Sequence, residues 1–283
     1  MYAVTGASGQ LGRLVIEALL GRIEPGKIVA LVRDPARVAD LSARGVIVRA
    51  FDYDEAGTLA PALAGVERLL LISSSEVGKR VAQHAAVIEA AKTAGVSAIA
   101  YTSILRADSS PLGLAVEHRA TEAAIRASGM PYALLRNGWY IENYTMSAAA
   151  SIEHGAVIGS TGEGRISAAA RRDYAEAAAR VLTDAAMTSQ VYELAGDESF
   201  TLADYAAALA TASGRPVTYV NMSEAAYREA LEGIGLPGPL AAILAESSAT
   251  AAGGALFDDG HELSALIGRA TTPLATVVRE TLR

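Results

Sequence analysis

Short, uninterrupted apolar runs alternate with amphipathic stretches through the first half of the chain. Lys27-Ile28-Val29-Ala30-Leu31-Val32, Val46-Ile47-Val48-Arg49-Ala50-Phe51 and Arg68-Leu69-Leu70-Leu71-Ile72-Ser73 are each of strand length. Ala98-Ile99-Ala100-Tyr101-Thr102 and Pro131-Tyr132-Ala133-Leu134-Leu135-Arg136 extend the series. Runs that are apolar at consecutive positions indicate strands covered on both faces, as in a parallel sheet. Helical patterns lie between them, for instance Val81 to Ala94, stopped by Gly95, and Leu114 to Ala127, stopped by Gly129. This rhythm predicts an α/β fold built on a doubly wound parallel sheet.

After residue 137 the rhythm loosens. A helix is expected from Glu142 to Glu153, and the glycine-rich stretch Gly155 to Gly164 reads as a short hairpin or loop. Asp173 to Leu182 is helical in pattern, and Val191-Tyr192-Glu193-Leu194-Ala195 reads as one more strand of the main sheet. Thr201-Leu202-Ala203-Asp204 has the spacing of a helix capping box, Val217 to Val220 of a short strand, and Thr272-Pro273 of the start of the last helix. The expected division is a core over residues 1–152 and a mixed segment over residues 153–283. That segment completes the sheet and forms a smaller C-terminal α/β lobe on the substrate side.

The first strand runs straight into Val4-Thr5-Gly6-Ala7-Ser8-Gly9-Gln10-Leu11-Gly12, and a helix follows. Each glycine has a physical task there. Gly6 permits a tight turn, Gly9 lets backbone N–H groups approach a pyrophosphate, and Gly12 lets the helix pack on the strand. The helix N-terminus, with unpaired donors and the positive end of its dipole, is the anion site. Strand, turn and helix together favour a Rossmann-like dinucleotide site, with Ser8, Gln10 and Leu11 among its contacts, over a glycine-rich turn of no function. The Gly-x-x-Gly-x-x-Gly spacing resembles that of extended and atypical short-chain dehydrogenases.

Composition narrows the function. Half of the residues (51%) are hydrophobic and 19% charged, enough for a well-buried core. A net charge of −7 without a basic patch argues against a nucleic-acid partner. There is no cysteine, which excludes disulfides and thiolate chemistry, and the four histidines lack metal-ligand spacing, so no metal is expected. No apolar run has the length of a membrane span, and no leader is expected ahead of a strand beginning at residue 2. A soluble cytoplasmic protein is the expectation.

Candidate contacts follow the strand ends. Arg33, after the second strand, stands where an arginine accommodates the 2′-phosphate of NADP, whereas an acid there holds the ribose of NAD. Asp34 comes one step later, ahead of Pro35. Asp52 and Tyr53, after the third strand, are placed either to flank an adenine or to form an ordinary polar turn. Ser73, Ser74 and Ser75 follow the fourth strand, at the edge where ligands bind. After the sixth strand comes Arg136-Asn137-Gly138-Trp139-Tyr140-Ile141-Glu142-Asn143-Tyr144, which holds the only tryptophan. Arg136 and Asn137 are counted with the cofactor contacts. Tyr140 and Asn143 are candidates for holding a flat substrate and its oxygens, unless the segment is a structural aromatic cluster.

Most short-chain dehydrogenases carry Tyr-x-x-x-Lys on the helix after the fifth strand. This chain has Glu117-His118-Arg119-Ala120-Thr121-Glu122 there. His118 and Glu122 are one helical turn apart, and a carboxylate beside an imidazole favours the protonated ring, making His118 a candidate proton donor. A solvated ion pair is the alternative.

Several segments together resemble the bacterial NAD(P)H:quinone oxidoreductases of the atypical, NmrA-like short-chain dehydrogenase group. They are Val4 to Gly12, Leu70 to Gly78, Tyr101-Thr102-Ser103, Ser110 to Ala115, Leu135 to Tyr140, Phe257-Asp258-Asp259 and Leu266-Ile267-Gly268. Triphenylmethane dye reductases are similar over the same length. The resemblance implies NADPH as donor, a small-molecule quinone as acceptor and no flavin, with His118, Tyr140 and Asn143 at the acceptor. A homodimer stays open, and so does a second class: NmrA-like proteins that bind NADP(H) without turning it over and act as redox sensors. A sugar epimerase is disfavoured by the absent Tyr-x-x-x-Lys.

Overall fold

The computed structural model describes residues 1–283. In chain order, β1 (Tyr2–Val4), α1 (Gln10–Leu20), β2 (Ile28–Val32), α2 (Ala39–Ala43), β3 (Ile47–Ala50), α3 (Ala56–Ala62) and β4 (Arg68–Leu71) come first. Next are α4 (Arg80–Thr93), β5 (Ala98–Ile104), α5 (Ala115–Ala127), β6 (Tyr132–Asn137), α6 (Glu142–Thr145), α7 (Ala148–His154) and β7 (Ala156–Gly159). The chain then forms α8 (Arg171–Thr183), β8 (Gln190–Leu194), α9 (Leu202–Ser213) and β9 (Thr218–Asn221). It ends with α10 (Glu224–Gly233), α11 (Gly238–Ala251), α12 (Glu262–Ile267) and α13 (Leu274–Thr281).

Seven strands make one sheet in the order β3-β2-β1-β4-β5-β6-β8. The pairs from β3 through β6 are all parallel, with Val4 opposite Ala30 on one side and Leu70 on the other. β2 and β5 are buried at every residue, as uninterrupted apolar runs require. β8 joins the sheet as the sequence pattern predicts. The architecture is α/β and Rossmann-like.

Two compact units share the chain. The first comprises residues 1–107, 117–137 and 172–193; the second comprises 108–116, 138–171 and 194–283. The chain passes between them several times, so no single boundary near residue 152 divides it. Contiguous patterning cannot reveal this, because α8 and β8 return to the first unit across a long sequence gap. The core of the first unit is a continuous cluster that includes Leu31, Leu69, Leu71, Val87, Ile99, Tyr101 and Leu134. Each large aliphatic side chain buried there contributes about 1.5–3 kcal/mol.

In the second unit two expectations are corrected. Residues 142–153 do not form one helix: α6 ends at Thr145 and α7 begins at Ala148. Between them the Ser147 hydroxyl donates to the Tyr144 carbonyl at 2.9 Å, the kind of local side-chain bond that competes with helix propagation. The stretch after Gly155 is neither hairpin nor loop at its start. β7 pairs in parallel with β9, Val157 facing Tyr219, so its partner lies some sixty positions on in the chain. The capping box is present as predicted, with Thr201 and Asp204 exchanging bonds at the start of α9.

Candidate dinucleotide site

The order of the large sheet reverses between β1 and β4, so the connections that leave their carboxyl ends run to opposite sides. Ligands of open α/β sheets bind in the crevice such a reversal leaves. A cleft of about 300 Å³ occupies it. One wall is the glycine turn, with Gly6, Ser8, Gly9, Gln10, Leu11 and Gly12. Arg33 and Arg37 stand at a second side, and Phe51, Asp52 and Tyr53 at a third. Ile72, Ser73, Ser74, Ser75, Glu76 and Gln83 complete it.

The turn is built around its glycines. Gly6 has φ +58°, a left-handed conformation costly for other residues, and its carbonyl accepts from the Gly9 N–H at 2.9 Å. A Cβ at Gly12 would stand 2.3 Å from that same carbonyl oxygen, so α1 can seat against the turn only without a side chain there. No side chain caps α1 and its first turn holds no acid. α9 differs, since its first turn is closed by Thr201 and Asp204. Free donors and a positive helix end therefore face the cleft, which suits a phosphate.

The second and third sides fit an adenosine bearing a further anion. Arg33 is two-thirds exposed and its Nη1 lies 3.5 Å from Glu76 Oε1, while Lys79 holds the other Glu76 oxygen at 3.0 Å. Asp34, the one acid near the β2 tip, accepts from the Ala36 N–H at 3.0 Å and caps a short 3-10 turn. The group that would select a free ribose hydroxyl is thus engaged locally. Arg37, on that same turn, was not anticipated. Its signal was a second cation four residues after Arg33, just past Pro35. Asp52 Oδ1 accepts from the Asp54 N–H, and the Tyr53 hydroxyl lies 2.6 Å from Thr5 Oγ1 and 3.1 Å from the Ile72 carbonyl. Tyr53 therefore braces the wall across β1 and β4, and its burial raises the phenol pKa.

The layer between α5 and strands β5 and β6 departs from expectation. His118 does not pair with Glu122. Its Nδ1 lies 2.8 Å from the Tyr101 hydroxyl, and the ring is buried. Burial, reinforced by the Arg80 guanidinium and by His84, pushes its pKa down to about 3, so it is neutral at ordinary pH and is not an imidazolium donor. Glu122 instead takes a bidentate bond from Arg136, Nε at 2.9 Å and Nη2 at 2.7 Å, plus the Ser103 hydroxyl at 2.6 Å and Arg126 at 3.2 Å. Arg136 Nη1 reaches Glu193 at 2.9 Å, and Glu193 also accepts from the Arg106 N–H. Arg136 and Asn137, expected among the cofactor contacts, are buried at the end of β6 and do not line the cleft. Helical spacing put His118 and Glu122 on one face correctly. It could not show that Arg136, fourteen residues on, would claim the carboxylate.

In the second unit, Tyr140 lies under the Arg171 guanidinium, 4.9 Å from its ring centroid. Both carboxylate oxygens of Glu142 accept from the Arg171 N–H, which fixes this stack. Asn143 is half-buried on α6. No group of acidic or histidine side chains is arranged to hold a metal, and no helix is long and apolar enough to cross a membrane.

Fold and cleft together define a dinucleotide-binding protein of the doubly wound type. The chain belongs to the NmrA-like family, whose model matches residues 2–276. It is 55% identical over 278 residues to quinone oxidoreductase 2 of Escherichia coli K12, covering 98% of this chain and 97% of that protein. The NADPH-dependent quinone oxidoreductase of Escherichia coli, solved with NADPH, superposes with a TM-score of 0.97 at 54% identity over the whole of both chains. The Citrobacter triphenylmethane reductase solved with NADP(H) gives a TM-score of 0.95 at 36% identity, covering 99% of this chain and 100% of that one.

Proposed function

We propose that the protein is a cytoplasmic, flavin-independent reductase that uses NADPH to reduce a quinone. The observation that carries this reading is the cleft at the strand reversal, with an uncapped helix end, two arginines at the adenosine side and the nearby acid Asp34 engaged in capping a 3-10 turn. Gly6, Gly9 and Gly12 leave room for the pyrophosphate, and Arg33 and Arg37 hold the 2′-phosphate. When bound, NADPH supplies a hydride, and the protein contributes orientation and electrostatics.

The acceptor follows from what the α5 position lacks. Oxidising or epimerising an alcohol needs a strong base to form an alkoxide. Neutral, buried His118 and fully engaged Glu122 offer none. A quinone is already a good hydride acceptor, and the hydroquinone anion it becomes is aromatic and weakly basic. Neutral hydrogen-bond donors to its oxygen are enough, and solvent supplies the final proton. Tyr140 and Asn143 are proposed as those donors, with His118 in a supporting role as a neutral ring. The 55% identity to a quinone oxidoreductase supports the same acceptor class.

The test is Asn143→Ala assayed on quinones of increasing reduction potential. The expected loss in kcat/KM is about 10- to 1000-fold on the weakest acceptors, shrinking as the acceptor improves. Unchanged rates across the panel would place the acceptor's oxygen elsewhere.

A further inference from the structure

The segment after β4 forms a wall of the cleft, yet Ser73-Ser74-Ser75 has no stiffness of its own. Its backbone is held from behind by side chains. Thr5 Oγ1 accepts from the Ile72 N–H at 2.9 Å, and Thr102 Oγ1 accepts from the Ser73 N–H at 2.9 Å. His84 Nε2 accepts from the Ser74 N–H at 3.0 Å, and Arg80 Nε donates to the Ser74 carbonyl at 2.6 Å.

The histidine's protonation can be deduced from its partners. A backbone N–H can only donate, so Nε2 of His84 carries a lone pair. Nδ1 lies 2.9 Å from Thr121 Oγ1, whose own hydrogen is given to the Glu117 carbonyl at 2.9 Å. The Thr121 oxygen therefore accepts, and Nδ1 carries the hydrogen. This is the tautomer an exposed imidazole favours less. The ring is fully buried, with Tyr53 edge-on at 6.2 Å and Tyr101 at 5.5 Å. Arg80 from its own helix, with Tyr53, Tyr101 and His118 from the elements around it, are the titratable or charged groups nearby. Burial first and Arg80 second push its pKa down to about 4, consistent with a ring kept neutral.

We infer that His84, locked as the Nδ1–H tautomer by Thr121, is a positioning residue that fixes the Ser73–Glu76 wall in its cofactor-receiving shape. It acts through the Ser74 peptide and is not itself on the cleft wall. The inference rests on the reading of that cleft as the NADPH site. Losing the hydrogen bond from the Ser74 N–H to Nε2 lets the wall move and weakens cofactor binding, while the chemistry of a bound cofactor is little altered. Thr121, further from the cleft, matters for the same reason: without its oxygen the ring is free to take the other tautomer and present an N–H to an N–H.

Three measurements test this together. Nitrogen-15 NMR of ring-labelled protein should show His84 as the Nδ1–H form. Calorimetry with NADP⁺ should give a Kd roughly tenfold weaker for His84→Leu, with Thr121→Val shifted in the same direction and His84→Gln, which retains an acceptor, returning most of the affinity. Steady-state assays should show the change in KM for NADPH, with kcat within about twofold. Circular dichroism shows which variants fold; Thr121→Val leaves the ring in place should His84→Leu fail. An Nε2–H ring, or folded Thr121→Val and His84→Leu proteins with unchanged Kd, would overturn the inference alone. A wild-type protein that binds neither NADPH nor NADP⁺ would overturn the reading of the cleft and the inference with it.

Discussion

The first unit contains two polar regions of opposite character. The cleft at the β1–β4 reversal is made of small residues and backbone groups left open: an uncapped helix, a glycine turn, and arginines that are exposed or loosely paired. The layer between α5, β5 and β6 is made of long charged side chains that are closed on one another. Glu122 takes four bonds from three partners and Arg136 spans two carboxylates. Both regions look chemically active as sequence. Only the open one retains donors for a ligand, and an ionic cluster with its bonds made is a structural device.

The sharpest break of that comparison is Arg136→Leu. It leaves Glu122 buried without its bidentate partner, and removal of one member of a buried pair costs about 3–5 kcal/mol. Denaturant unfolding should register that loss, with Glu122→Gln in the same protein recovering part of it. A nearly unchanged midpoint would show that Arg136 is free to serve a ligand after all.

Gly9→Val acts on the other region. A Cβ there would stand 3.2 Å from the Gly6 carbonyl oxygen, and the branched atoms beyond it would enter the space proposed for the pyrophosphate. NADPH affinity should fall on the order of a hundredfold or more, about 2.7 kcal/mol, with the circular dichroism spectrum preserved. A folded variant with full affinity would remove the turn from the site.

The legibility of these regions in the sequence differs for a physical reason. The glycine turn is local: strand, turn and helix are contiguous, and each glycine answers to a neighbour within six positions, as Gly12 does to Gly6. The strands were legible too, because burial on both faces leaves an uninterrupted apolar run. What escaped was long-range pairing. Arg136 with Glu122, Glu193 with Arg136, β7 with β9 and the return of α8 to the first unit all join residues that no spacing rule connects. Arg37 escaped because a short 3-10 turn, capped by Asp34, carries it to the cleft mouth.

A smaller effect separates the two arginines from the glycine turn. If Arg33 holds the 2′-phosphate as proposed, Arg33→Ala removes a charge-assisted contact of about 1.5–3 kcal/mol. Calorimetry should show NADPH binding weakened about ten- to a hundredfold with NADH almost unaffected. Equal losses for both cofactors would mean that the arginine contributes general attraction and not selection. A partial effect that becomes complete in the Arg33→Ala, Arg37→Ala pair would divide the role between them.

The smallest effect is a pH response. Burial first and the Arg80 guanidinium second push His84 down to about 4 and His118 down to about 3 in the folded protein, below the ordinary histidine value of about 6.5. As pH falls through 6.5 the unfolded chain gains protons that the folded chain refuses, so stability decreases. From pH 7 to pH 6 each ring should cost on the order of 1 kcal/mol or less, read from the urea midpoint. His118→Phe should flatten the slope by half. A stability that rises over this interval would mean that the rings are charged in the fold.

The central claim is that the open cleft holds a working cofactor although the Tyr-x-x-x-Lys dyad is replaced by a closed layer. Its most direct test is the loss of nicotinamide absorbance from NADPH by the wild-type protein, with and without a simple benzoquinone. Consumption should depend on the quinone, yield one hydroquinone per NADPH, and be slower with NADH at equal subsaturating concentration. Tight binding of NADPH with no consumption on any quinone would contradict it and make the protein a cofactor-reading regulator.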